Sequence, residues 1–217
     1  MKSTTQNIKA IRLQFGDLTI TAEVEARLEE LGFTPETLID AIGEHKSCCD
    51  GNPSIYCGTY YKYSGEKGIC GLWIDLTTFD DYDEFVEFCN AIHADEEDPE
   101  LMFQDYEAFP RKWYNESCFG QCCFDAVKEY WDLCEEYSPD AVDAFIEWEG
   151  DELEHFEDCY VGEYGSEEEF AREIVNDCYD LERMMGHLSD YFDYDAYARD
   201  LFMYDYYYDN GYVFRHY

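Results

Sequence analysis

Positive charge is what this chain has least of: 14 Lys and Arg stand against 52 Asp and Glu in 217 residues, a formal net charge of −38. A surface of that sign repels phosphates, so direct nucleic-acid binding is not expected. No apolar run reaches the roughly 18 residues that span a bilayer, which excludes a membrane helix. The N-terminus lacks the form of a signal peptide, so a cytoplasmic protein is expected. Reactive constellations are missing as well. The histidines His45, His93, His155, His187 and His216 are scattered singly, and there is no Gly-x-Ser-x-Gly elbow or glycine-rich phosphate loop with its lysine. Asp193-x-Asp195 starts like a calcium loop but lacks the glycine and the distal bidentate glutamate. A nucleophilic cysteine needs an electropositive setting, and the chain offers the reverse. No enzyme activity and no cofactor are expected.

The 11 cysteines are an odd count without a secretory signal, which predicts reduced thiols, mostly buried as small hydrophobes. Cys118, Cys122 and Cys123, with Cys48 and Cys49, match no paired zinc spacing, so no metal is expected.

What is present is acid interleaved with aromatics. After position 52 there are 43 Asp and Glu and 9 Lys and Arg, among most of the chain's 21 Tyr and 15 Phe. Acid alone makes chains disordered, whereas acid with this much apolar material predicts a folded body with a negative exterior. Duplex DNA carries about one charge per 1.7 Å of axis, so a net of 34 charges corresponds to roughly 17 base pairs. Such a surface resembles DNA in charge density. Mutual repulsion, screened beyond about 8 Å, favours an elongated chain of small subdomains over one globule.

The elements read as an α+β protein. Ile8 to Phe15 and Leu18 to Thr21 form a hairpin, Thr21 caps a helix to Leu31 that Gly32 ends, and Thr34-Pro35 starts another to about His45. Glu36, Asp40 and Glu44 on that second helix exclude a DNA-recognition helix. Charge density jumps near Pro53, so residues 1–52 are expected to be a separable ββαα module. Residues 53–115 read as an α+β domain: strands Ile55 to Tyr63 and Ile69 to Leu76, then a helix capped by Asp80 or Asp81 that buries Phe85, Phe88, Cys89 and Ile92.

Residues 116–154 read as a helical middle domain. Val127, Tyr130, Trp131 and Cys134 form one inward stripe, and Val142, Phe145 and Trp148 another. Residues 155–217 read as a second α+β domain. It holds a strand Phe156 to Tyr164, a helix from the capping box at Ser166 burying Phe170, Ile174, Cys178 and Leu181, a helix capped by Asp193, and a hairpin at Asn210-Gly211.

The acidic positions expected to form the DNA-like surface are Asp95, Glu96, Glu97, Asp98, Glu100, Asp132, Glu135, Glu136, Asp140, Asp143, Glu147, Glu149, Asp151, Glu152, Glu154, Glu157, Asp158, Glu167 and Glu168. A helix face with so few cations gives up the i,i+4 pairing that ordinarily supports solvated helices. Phe156, Tyr160 and Tyr164 are expected on an exposed edge strand that pairs two chains into a homodimer.

Four segments resemble the ArdA antirestriction family of plasmids, phages and conjugative transposons. They are Pro53 to Tyr63 with Gly71-Leu-Trp-Ile-Asp-Leu76; Asp95 to Glu107; Phe156 to Tyr164 with Ser166 to Ala171; and Tyr191 to Phe202. The resemblance covers about residues 53–217. It implies an elongated dimer of three small domains that mimics bent B-form DNA and blocks the modification core of type I restriction-modification enzymes. The chain departs from the family in its first 52 residues, in Leu72 where a basic residue is expected before Trp73, and in its cysteine load. Two alternatives stay open at this point: an acidic chaperone of basic DNA-binding proteins, and an inhibitor of another nuclease or of a nucleic-acid-guided defence complex.

Overall fold

A computed structural model describes residues 20–42, 51–65, 70–150 and 152–216. The hairpin expected over residues 8–21 lies outside them except for its last two positions. The protein is α+β and divides into two compact units, Met1–Asp132 and Leu133–Tyr217.

The first unit is built on an antiparallel sheet in the order β2-β1-β3, with β1 Ser54–Thr59, β2 Gly71–Asp75 and β3 Leu101–Glu107. All six residues of β1 are buried, as suits a central strand covered on both faces. Cys57 faces helix α4 (Tyr82–Ala91), on the side of Cys89, and both are fully buried. Side chains alternate along a strand, so Tyr56 points the other way and packs edge to face on Trp73, its register partner, at 5.6 Å. A side chain at Gly71 would collide with the carbonyl of Cys57, so only glycine fits. Asp81 caps α4 by accepting from the Glu84 N–H at 2.9 Å, and Phe85, Phe88 and Cys89 are buried one turn apart. Phe85 stacks on Phe103 of β3 and on Phe124 of helix α5 (Gln121–Glu136).

Three expectations change here. The strand over Ile55 to Tyr63 stops at Thr59, because the Thr59 hydroxyl accepts from the Lys62 N–H at 3.2 Å and caps a single helical turn, α3 (Tyr60–Ser64). Strand β3 was not anticipated. The boundary at residue 52 does not separate a module that closes on itself. Helices α1 (Ala22–Glu30) and α2 (Pro35–Ala41), capped as expected by Thr21 and Thr34, bury Val24, Leu28, Leu38 and Ala41. Phe33, between them, packs on Phe88 at 4.9 Å, and Thr78 Oγ1 donates to the Asp40 carbonyl at 3.3 Å. These helices share the core of the sheet. Residues 116–132 share it too, through Phe119 on Phe85 and Tyr130 on Trp113, so no separate middle domain forms.

In the second unit β4 Tyr160–Glu163, β5 Tyr206–Asp209 and β6 Tyr212–Arg215 form an antiparallel sheet ordered β4-β6-β5. The hairpin turn is as expected: Asn210 and Gly211 both have positive φ, 48° and 98°, as a type I′ turn requires. Helix α6 (Pro139–Glu149), capped by Ser138, sets Phe145 against Phe156 and Phe214, and Trp148 lies flat on Tyr207 at 5.2 Å. Phe156 belongs to a helical turn, α7 (Phe156–Cys159), not to the strand. Its burial repeats at Cys159, the helical interval, since Glu157 and Asp158 between them face water.

Ser166 caps α8 (Glu167–Cys178), which buries Phe170, Ala171 and Val175. Ile174 is only half-buried, Cys178 is exposed, and Leu181 begins the next short helix, α9 (Leu181–Met185), so the inward face ends at Val175. Asp193 caps α10 (Tyr194–Tyr204). The α5 stripe is also turned slightly. Phe124, Val127, Tyr130 and Leu133 are buried, while Trp131 and Cys134 are half-buried.

Candidate acidic binding surface

The acids follow from the inward faces just described. Each amphipathic helix that buries aromatics at intervals of three and four leaves the remaining positions to water. On α5 these include Asp132, Glu135 and Glu136, and on α6 Asp140, Asp143, Glu147 and Glu149, all exposed. Glu152, Glu154, Glu157 and Asp158 are exposed on the turns that follow, and Glu167 and Glu168 are half-buried in the first turn of α8. Asp151 lies outside the described residues. Acids in a first helical turn also complement the partial positive charge there, as with Asp140 in α6 and Glu167, Glu168 and Glu169 in α8.

The acidic run Asp95, Glu96, Glu97, Asp98 and Glu100 forms the turn between α4 and β3, and it does not act as one group. Glu97, Asp98 and Glu100 are exposed. Asp95 and Glu96 instead hold the Lys62 ammonium, at 2.7 and 3.1 Å, and Glu96 Oε1 also accepts from Thr59 Oγ1 at 2.7 Å. Two of the expected surface acids thus serve as counter-ions within the subunit, Glu96 half-buried and Asp95 still exposed.

The described cations are mostly engaged by the protein itself. Lys128 Nζ donates to the Phe79 carbonyl at 3.1 Å, and Arg111 to the Tyr114 carbonyl at 2.6 Å with its guanidinium 4.8 Å over the Tyr114 ring. Arg172 pairs with Glu168 and lies 4.0 Å over the Tyr194 ring, while Arg199 and Arg215 donate to the carbonyls of Asp195 and Asp158. Few are left to mask the carboxylates.

Of the residues expected at a chain-pairing edge, Phe156 is fully buried and cannot take that part in the folded subunit. Tyr160 and Tyr164 are half-buried: Tyr160 stacks on Phe156, and Tyr164 packs on Phe170 and donates to Glu173 at 3.1 Å. Strand β4 pairs with β6 alone among the described strands.

Metal and thiol chemistry reduce to one place. Among the described residues, His93, Asp95 and Glu96 are the grouping whose ligand atoms come within 4.8 Å of one another. Lys62 Nζ, 2.9 Å from His93 Nδ1, already fills it. With the ammonium donating to Nδ1, the ring proton sits on Nε2, which faces the Cys57 carbonyl at 3.4 Å. Burial pushes the neighbouring Cys89 thiol well up, helped by its hydrogen bond to Cys57. Burial acts on Cys57 in the same direction, but hydrogen bonds from Cys89 and His93 and the positive charge of Lys62 outweigh it and draw that thiol down.

The thiols are less buried than expected. Cys57, Cys70, Cys89 and Cys159 are buried, whereas Cys118, Cys122 and Cys178 are exposed, and Cys118, Cys122 and Cys123 form no metal grouping. Cys48 and Cys49 lie outside the described residues. Sequence reasoning missed the Lys62 cluster. The available signal was one lysine, rare in this chain, shortly before the densest acidic run.

Burial, with nearby acids adding to it, raises the phenols of Tyr82, Tyr114, Tyr160, Tyr164 and Tyr207 above the ordinary tyrosine value. The folded protein therefore keeps protons that the unfolded chain releases as pH climbs past about 10. Stability from these groups is present below about pH 10 and is lost as pH rises from there through the folded values. Thermal melts are expected to hold steady from pH 8 to 9.5 and fall steeply above 10, with the phenolate absorbance at 295 nm lagging behind that of the unfolded chain. A melt independent of pH up to 11 would contradict this.

No helix among the described residues is long and apolar enough to cross a membrane. These features define a folded polyanion of the α+β class, with carboxylates displayed on short capped helices and turns. Residues 55–214 match the family model of the antirestriction protein (ArdA), and the chain belongs to that family. Its function is accordingly antirestriction. No match is found among curated proteins.

Proposed function

We propose that the protein acts as a mimic of B-form DNA, without catalysis, by occupying the DNA-binding groove of a type I restriction-modification enzyme at its modification core. The observation that carries this reading is the one-signed exposed face of α5 and α6. Acids three and four residues apart on a helix follow one another at about 5 Å along its axis. A single DNA strand places a phosphate about every 3.4 Å, so the densities are comparable. The aromatic cores and side-chain caps hold the carboxylates in place before the partner arrives, which keeps the ordering cost of binding low. The edge of β4 away from β6, near Tyr160 and Tyr164, is where a second copy would add to the mimic as a two-fold dimer.

A DNA-displacement titration against a type I modification core tests this. The protein is expected to displace DNA competitively, at a stoichiometry of one chain pair per groove, and about tenfold less well when salt rises from 0.1 to 0.3 M, because exposed opposite charges are screened. Displacement that is insensitive to salt, or loss of DNA binding through cleavage of the enzyme, would rule the reading out.

A further inference from the structure

The polar cluster around Lys62 in the first unit is arranged as a metal centre is, with a lysine in the position of the ion. Lys62 Nζ lies 2.9 Å from His93 Nδ1, 2.7 Å from Asp95 Oδ1 and 3.1 Å from Glu96 Oε1. Of the three N–H donors of a primary ammonium, two are used by hydrogen bonds to His93 and Asp95, and Glu96 adds an ion pair. The site is sheltered on its inner side, where His93 is fully buried and the Lys62 and Glu96 side chains are 12% and 11% exposed, while Asp95 lies at the rim with its side chain 29% exposed. The same helical turn grips the acidic segment twice more, through Thr59 Oγ1 to Glu96 and the Tyr60 N–H to the Glu100 carbonyl at 3.0 Å.

We infer that Lys62 is the positioning residue of the acidic turn. Its ammonium does the work a divalent cation would do, tying Asp95 and Glu96 to one point and thereby setting the course of the turn that carries Glu97, Asp98 and Glu100. Adjacent carboxylates in a run of this density repel each other, and a cation at that point relieves both at once. Removing one partner of a sheltered ion pair leaves the other uncompensated, which is far more costly than losing a surface pair. The local inference stands on this geometry; its consequence for inhibition rests on the DNA-mimic reading above.

The test is Lys62→Ala in the full chain, followed by amide hydrogen exchange with and without zinc chloride. Exchange across residues 93–101 is expected to quicken at least tenfold while α4 and β1 stay protected. The vacated triad of one imidazole and two carboxylates suits zinc, so micromolar zinc is expected to restore slow exchange in the variant and leave the wild type unchanged. Lys62→Met, which keeps the stem and loses the charge, should quicken exchange likewise.

Wild-type exchange over 93–101 in both variants would overturn the inference. So would a general loss of protection across the first unit that zinc does not reverse, since that is what a purely structural lysine would give. DNA displacement by Lys62→Ala separates the two readings. Weaker displacement that zinc restores supports both. Zinc-reversible exchange with displacement unchanged upholds the positioning role and removes this turn from the proposed contact.

Discussion

Replacing Asp132, Glu135, Glu136, Asp140, Glu147 and Glu149 together by their amides is expected to weaken DNA displacement about a hundredfold. Each exposed opposite-charge contact is worth about 0.5 kcal/mol, so six contribute about 3 kcal/mol, and 1.4 kcal/mol is about a factor of ten. Glu147→Gln alone should cost no more than about threefold. All six residues face water on α5 and α6, so the fold should tolerate the changes. Loss of a first-turn charge at Asp140 costs about 0.3–1 kcal/mol, partly offset by reduced repulsion elsewhere. Competition curves with a labelled duplex give the numbers. A folded single variant that abolished displacement would mean that a localised site, not summed charge, does the work.

The second large effect concerns the first 52 residues. A chain starting at Asn52 is expected to lose the cooperative unfolding transition of the first unit. Val24, Leu28 and Leu38 are fully buried, and full burial of such side chains contributes about 1.5–3 kcal/mol each. Their loss, about 5–9 kcal/mol, rivals the 5–15 kcal/mol of a whole domain. Truncation would also uncover Phe88, against which Phe33 packs. Circular dichroism melts of the full and truncated chains, with urea titration, decide the matter. A truncated chain that melts as sharply and as high as the full one would restore the separable module expected from charge density.

That expectation failed for a physical reason. The charge step near Pro53 reports what faces water, whereas domain boundaries are set by what is buried, and Val24, Leu28, Phe33 and Leu38 carry no charge at all. Caps and turns were the legible part, because Thr21, Thr34, Asp81, Ser138, Ser166 and Asp193 make bonds within three residues of themselves. The Asn210-Gly211 turn is legible for the same reason. Strand β3 was not, since Leu101–Glu107 alternates poorly and becomes a strand only by pairing with β1, some forty residues earlier. Phe156 was misplaced because a short run rich in aromatics fits a strand or a helical turn equally well until Phe145 and Phe214 arrive to claim the ring. For the acids of α5 and α6, helical periodicity expected the water-facing side, and they are exposed. It could not see that Asp95 and Glu96 are tied to Lys62, because that partner comes from another element.

The engagement of Arg172, Arg199 and Arg215 by the second unit's own ring, carboxylate and carbonyl groups has a consequence outside the polypeptide. With those cations turned homeward, neutralising the surface falls to sodium and potassium from solution, which gather over the carboxylates as they do over phosphates. Under the proposed mode of action, an enzyme groove that closes on this surface sets that ionic atmosphere free. The driving force for association then belongs largely to the entropy of small ions that are part of neither protein.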